Sequence, residues 1–362
     1  MSDKPKKTLY LHIGYPKTAT SALQTFLWLN RSVLLKQGVL YPEKAGIVDV
    51  AHHEFAWCLQ DHNTDRTKTF KDYWAEVHEE SGADKAHTVI LSTEDFCRRQ
   101  PLRELKRIQE VTKGWDVKVI VYLRRQDAWA ESAYRQVVRG QPTRVSHPIS
   151  FWIQSPLTAR LDYREVLNSW AQGFSAENIL VRVFEKQQLP NGIFADFLET
   201  IGLKMNDGYR LPRKDVVNSS LSAEATEFLR QINTLPLTDT QHRKLTTALL
   251  HISPQTESEK VFFMSPKERR DLLELYDPAN SEIARTYLNR EDGKLFLAPW
   301  PEPDEPWEAP TLDPQAAGWL MTNLAHRLKK TRGIAKAAPE SPADIPDTNE
   351  AWVRQLLGEL AL

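Results

Sequence analysis

Cysteine is nearly absent: Cys58 and Cys97 are the two in 362 residues. A disulfide scaffold is thereby excluded. Two thiols so far apart read as small buried hydrophobes of a chain kept in a reducing, cytoplasmic compartment. Net charge is also nearly absent, with 47 basic residues against 48 acidic ones. That removes the broad attraction that draws a protein to nucleic acid or to an anionic membrane, though a local cluster of donors can still hold a small anion. No apolar run reaches transmembrane length, and the basic residues 1–7 lead into an apolar run broken at His12 and Gly14, which is not a secretory signal. There is no internal repeat and no Gly-x-x-x-x-Gly-Lys-Ser/Thr loop. What remains is a chain long enough for one large α/β domain or two smaller ones.

What is present begins at residues 9–24. The aliphatic run 9–13 reads as a short buried strand ended by Gly14. Gly14 and Pro16 then force a turn, and Leu23, Phe26, Leu27, Val33 and Leu34 form an apolar stripe at helical spacing. Thr18, Thr20 and Ser21 are suited to cap that helix. Strand, tight loop and helix start, with Lys17 and three hydroxyls in the loop, read as an anion site, with an ordinary turn bearing a surface lysine as the alternative.

Further strands alternate with helices. Residues 88–96 form an apolar strand that delivers Ser92, Glu94 and Asp95 to the edge where ligands of open α/β sheets bind. Glu94 there is a candidate general base, or else a cap for the helix near residues 102–111. Residues 117–123 form a third strand ending in Arg124-Arg125, with a helix over 127–137. A guanidinium fork from the strand end and the Ser132 hydroxyl could converge on one phosphate, whereas an arginine paired with Asp127 or Glu131 would be plain surface chemistry. Residues 179–185 form a fourth strand. The alternation predicts a three-layer α/β fold with a central parallel sheet. His52 and His53, on a helix over 51–59, lack a Cys/His partner at zinc spacing and are kept as acceptor-side groups.

Residues 16–21, Pro-Lys-Thr-Ala-Thr-Ser, resemble the 5′-phosphosulfate loop of sulfotransferases, Pro-Lys-Ser/Thr-Gly-Thr-Thr/Ser. Ala19 departs from the pattern: alanine is strained there if the position takes a positive φ, and tolerated if glycine serves only close approach of a ligand. Sulfotransferases bind the donor's 3′-phosphate with an arginine at a strand end and a serine eight residues on. Arg124 and Ser132 stand at that spacing, in a run (122–134) similar to the bacterial version. The resemblance implies a P-loop-NTPase-like fold and transfer of a sulfuryl group from 3′-phosphoadenosine 5′-phosphosulfate, without a metal, to a hydroxyl or amine acceptor. It implies catalytic roles for Lys17 and Glu94. It implies donor binding by Pro16, Lys17, Thr18, Ala19, Thr20, Ser21, Arg124 and Ser132, with Phe184, beside Glu185, against the adenine. The family's base is a histidine or a glutamate at the end of the strand between the two motifs, where this chain has Glu94 and no histidine. With Glu94 there, the acceptor expected is a carbohydrate or glycan precursor.

The sulfotransferase domain is expected over 1–297, with core strands within 9–185 and a helical part over 190–297. Helices are expected near 192–203, 267–275 and 280–288. Arg210, Arg213 and Lys214 precede Asn218-Ser219-Ser220, a basic loop that could close over the donor. Loops 41–74 and 140–155 would shape the acceptor pocket, with Trp57, Tyr73, Trp74 and Trp152 available for stacking. Residues 298–314 carry six prolines, which excludes regular structure, and Trp300 and Trp307 suggest that the segment lies against the body. An amphipathic helix over 314–330, a linker over 334–349 and a helix over 350–360 follow. This extension packs on the domain or on a second subunit of a homo-oligomer. Two competitors stand beside the transferase. One is a P-loop kinase or NTPase with magnesium on Glu94 and Asp95, which lacks its Gly-Lys-Ser/Thr. The other is a non-catalytic scaffold of the same fold.

Overall fold

A computed structural model of the chain describes residues 6–60, 67–82, 85–140, 143–155, 160–213, 220–253 and 261–330. Strands β1 (Thr8–His12), β2 (Val39–Leu40), β3 (Thr88–Ser92), β4 (Asp116–Leu123) and β5 (Ile179–Val183) form one sheet in the order β2-β3-β1-β4-β5. Every pairing is parallel, with Leu11 opposite Leu91 on one side and Val119 on the other. Strands covered on both faces must be apolar throughout, and Leu9, Leu11, Val89, Ile90, Leu91, Val119, Ile120 and Val121 have no exposed surface. Truncating one such leucine to alanine costs about 2–5 kcal/mol. The expected α/β fold with a central parallel sheet is the fold observed. β1 lies at its middle, flanked by β3 and β4: the chain leaves β1 toward β2 on one side, and the connection from β3 crosses over β1 to β4 on the other. That reversal opens the crevice where α/β sheets bind ligands.

The chain packs as two compact units. One comprises Met1–Trp129, Ala159–Val217 and Leu272–Trp300; the other comprises Ala130–Thr158, Asn218–Asp271 and Pro301–Leu362. The first holds the sheet, with helices α1 (Thr20–Leu29), α2 (Arg31–Lys36), α3 (His53–Trp57), α4 (Phe70–Ser81) and α5 (Leu102–Val111). Helix α6 (Gln126–Arg139) starts in it. The second unit contains the helices Ala223–Ile232, Asp239–Ile252 and Pro314–Lys330. Within it Trp307 Nε1 donates to the Phe262 carbonyl at 2.9 Å, anchoring the proline-rich stretch that forms no helix or strand.

Several local expectations need correction. The stripe 23–34 is two helices, broken at fully buried Asn30, whose amide donates to the carbonyls of Phe26 and Arg210 at 2.8 Å each. The helix expected over 51–59 is trimmed to α3, because Ala51 bridges back to Val48. The helices expected at 267–275 and 280–288 are one, Pro266–Leu288, with Pro278 inside it. A proline removes one backbone donor but need not end a helix held on both sides by packing. Lys214, Asn218 and Ser219, and the linker and terminal helix beyond 330, lie outside the described residues.

Candidate active site

The loop after β1 is built from backbone conformation more than from side chains. At Gly14, φ +51°, a Cβ would stand 2.6 Å from Thr20 Cγ2, so only glycine fits. Lys17 (φ 70°) and Ala19 (φ 59°) then both take left-handed backbone, while Thr18 between them does not. Alternation of this kind turns successive amide N–H groups toward one concavity, the arrangement that cradles phosphate oxygens. Each left-handed L-residue costs about 1–2 kcal/mol, so the loop holds strain at two positions. Ala19 is therefore in the conformation that glycine takes without strain.

The loop hydroxyls do not cap the helix, contrary to expectation. Ala19 is the N-cap of α1 and makes no side-chain cap. Thr18 and Thr20 instead donate to the Tyr15 carbonyl, at 2.6 and 3.2 Å, since their left-handed neighbours turn them back toward the loop. Ser21 is exposed in the first turn of α1. The amides of that turn are thus left for an anion at the positive end of the helix.

Arg124 and Arg125, adjacent at the end of β4, have different partners. Arg125 makes a two-pronged pair with fully buried Asp127, at 2.8 and 2.9 Å, which is the plain salt-bridge role. Arg124 pairs with no carboxylate among the described residues. Its Nη1 donates to the Lys17 carbonyl at 2.9 Å, and its guanidinium sits 5.8 Å from the centre of the Phe184 ring. Burial lowers its pKa, yet a guanidinium keeps its proton. The Tyr163 hydroxyl donates to the Arg124 carbonyl, and Trp129 Nε1 donates to the Pro16 carbonyl at 2.8 Å. Pro16, Lys17, Arg124 and Phe184 are thereby brought together from three strand ends. Ser132 lies two turns into α6, half-buried, in the part of that helix belonging to the second unit.

Beyond β3 the chain makes a short 3-10 turn, Glu94–Phe96, capped by Thr93 Oγ1. Glu94 Oε2 accepts from Gln24 Nε2 at 3.1 Å, and its Cα lies 3.7 Å from where a Cβ on Gly14 would be. The helix-cap alternative for Glu94 is overturned: α5 begins after Pro101, which caps it without any side chain. Asp95 accepts from His53 Nδ1 at 2.6 Å, and Trp57 stacks on the His53 ring at 5.5 Å. The Asp95 hydrogen bond raises the His53 pKa. His52 differs: it is buried between the Pro42 carbonyl and the Ser92 amide, and burial pushes it down to about 3. His12, 2.7 Å from Ser92 Oγ, is held neutral by the same cause. Of the adjacent pair, His53 is half-buried and paired with a carboxylate, whereas His52 is fully buried.

No protein-family model matches the sequence. An uncharacterized protein of Archaeoglobus fulgidus is 28% identical over 206 residues, 56% of this chain and 55% of that protein. The chain thus spans about half the length of the curated relative it matches. A crystal structure of a sulfotransferase from Alicyclobacillus acidocaldarius is similar at a TM-score of 0.36 and 16% identity, over 71% of this chain and 99% of that one.

The aromatic residues expected to stack on an acceptor are mostly core. Tyr73, Trp74 and Trp152 are 6%, 5% and 3% exposed, and Trp57 alone stays half-exposed. Gln24, Trp129 and the His53–Asp95 pair were not singled out from the sequence. Gln24 falls on the turn of α1 that faces β3, a periodicity signal. The His53–Asp95 pair joins residues 42 apart and leaves no local signal. Among the described residues no group of three or more His, Cys, Asp and Glu side chains is placed to hold a metal ion, and no helix is long and apolar enough to cross a membrane.

Proposed function

We propose that the chain is a sulfotransferase using 3′-phosphoadenosine 5′-phosphosulfate. The observation that carries the reading is the left-handed pair Lys17 and Ala19 with Arg124 docked on the Lys17 carbonyl. It puts an anion cradle and a guanidinium that has no carboxylate partner among the described residues side by side. In this reading the amides at the start of α1 and the Lys17 ammonium hold the 5′-phosphate, Arg124 holds the 3′-phosphate, and Phe184 lies against the base.

In transfer, an acceptor oxygen or nitrogen forms a bond to sulfur as the bond from sulfur to the 5′-phosphate oxygen breaks. Negative charge gathers on that phosphate oxygen, where Lys17 and the loop donors stabilise it. The acceptor's proton passes to Glu94, whose free oxygen lies beside the one tied to Gln24. His53, oriented by Asp95 at the same edge, is a second proton acceptor. Trp57 offers the half-exposed face for a sugar acceptor. A magnesium-dependent kinase would need Glu94 and Asp95 both turned to a metal, whereas Asp95 is engaged by His53.

Calorimetric titration with 3′-phosphoadenosine 5′-phosphate, with ATP as control, tests the reading. Saturable binding of the former and none of the latter is expected. Preference for ATP would favour the kinase, and silence to both the scaffold.

A further inference from the structure

Each of the two strand ends at the nucleotide side carries a pair of consecutive residues with divided tasks. After β4, Arg124 reaches the Lys17 carbonyl, while Arg125 turns away and donates to the carbonyls of Ala298 and Pro299 at 3.1 and 2.8 Å. After β5, Phe184 lies under the Arg124 guanidinium, while Glu185, in extended backbone, accepts the amides of Leu297 and Ala298 at 2.8 and 2.9 Å. Successive side chains on extended backbone point to opposite sides, which is why the tasks alternate. A strap at residues 297–299 is therefore gripped on both of its hydrogen-bonding faces, by a carboxylate on its N–H groups and a guanidinium on its carbonyls. Asp127 fixes the guanidinium. Gln188 adds bonds from its Nε2 to Glu185 Oε2 at 2.7 Å and to the Leu295 carbonyl at 3.0 Å. Leu297 in the strap is 46% exposed, so hydrophobic burial does not hold it there.

We propose that Arg125 and Glu185 are positioning residues for the nucleoside half of the donor. By clamping the 297–299 strap they lock the two strand ends, and with them the Arg124 guanidinium over Phe184, in the geometry that receives the 3′-phosphate and the base. The proposal rests on the donor assigned above and goes beyond it, because neither residue touches the nucleotide. Releasing the clamp costs affinity for the nucleoside half and leaves the phosphate loop at residues 16–21 as it was.

Titration of the full chain and of Glu185→Gln and Glu185→Ala variants tests this with two probes, 3′-phosphoadenosine 5′-phosphate and pyrophosphate. Glu185→Ala should weaken the nucleotide by about tenfold, the worth of one lost charge-assisted hydrogen bond, with pyrophosphate unchanged. Glu185→Gln, which keeps one acceptor oxygen, should fall between. Hydrogen exchange of the Leu297 and Ala298 amides in the parent should slow when the nucleotide binds, a readout that no variant's folding can disturb. Nucleotide binding in the parent that Glu185→Ala leaves unchanged, or an equal loss for both probes, overturns the clamp alone. A parent that does not bind the nucleotide overturns the donor reading and the clamp with it.

Discussion

The two sides of the β1 crevice are built differently. On the side proposed for the donor, the structure rests on strain and on hydrogen bonds between backbone and side chain: left-handed Lys17 and Ala19, the Arg124 bond to the Lys17 carbonyl, and the strap held by Arg125 and Glu185. On the side proposed for the acceptor, side chains act on each other: Glu94 on Gln24, and Asp95 on His53 with Trp57 stacked above. Backbone cradles recognise a group common to every turnover, a phosphate. Side-chain pairs can be exchanged without disturbing the sheet, and they belong where an acceptor must be distinguished. The difference teaches where change is tolerated.

The sharpest test of that division is Lys17→Ala. Removing the charge at the breaking bond should lower kcat by about 10²–10³, as loss of a transition-state donor does, with the acceptor KM little changed. Transfer from labelled donor measures it, and an active variant would break the comparison on its donor side. Arg124→Ala comes next. Losing a charge-assisted pair should weaken 3′-phosphoadenosine 5′-phosphate by about 10- to 100-fold while adenosine 5′-phosphosulfate binds as before. Equal weakening of both would remove the 3′-phosphate from Arg124.

Ala19→Gly is expected to stabilise the fold by about 1 kcal/mol, because relief of left-handed strain exceeds the entropy that glycine adds to the unfolded chain. Urea unfolding of the two proteins decides it; a lower midpoint for the variant would mean that the loop is unstrained. The smallest effect is a shift on the acceptor side. His53 has a pKa raised by Asp95, so its charged form adds stability at low pH that fades as pH rises through the folded value, and its neutral, proton-accepting form appears only above that value. Asp95→Asn should lower the His53 pKa, seen in its imidazole NMR titration, and move the acidic limb of kcat/KM to lower pH. An unmoved limb would leave proton transfer to Glu94 alone.

Much of the donor side was legible because its residues are contiguous. Gly14, Pro16, Lys17 and the hydroxyls lie within eight positions, and Arg124 follows directly on an apolar strand. The role of the hydroxyls was not legible. A Thr or Ser before a helix is usually its cap, but here left-handed backbone at Lys17 and Ala19 redirects Thr18 and Thr20 to Tyr15, and propensity does not reveal φ. That Arg125 is taken up by Asp127 and by a strap more than 170 residues away was equally hidden. On the acceptor side, Tyr73 and Trp74 looked like stacking platforms and are core, because aromatic residues on an amphipathic helix serve either end and burial alone separates them.

By itself the sequence determined four of the five strands, their parallel arrangement and the position of the loop after β1, since continuous apolar runs alternating with helices can be buried in few ways. The tertiary structure decided how neighbouring residues are employed: Arg125 is taken up by Asp127 and the strap while Arg124 reaches the Lys17 carbonyl, His53 and not His52 meets Asp95, and Trp57 and not Trp74 keeps an exposed face. The physical reason is that burial and pairing join residues distant along the chain, whereas local pattern reaches only a turn or two of helix.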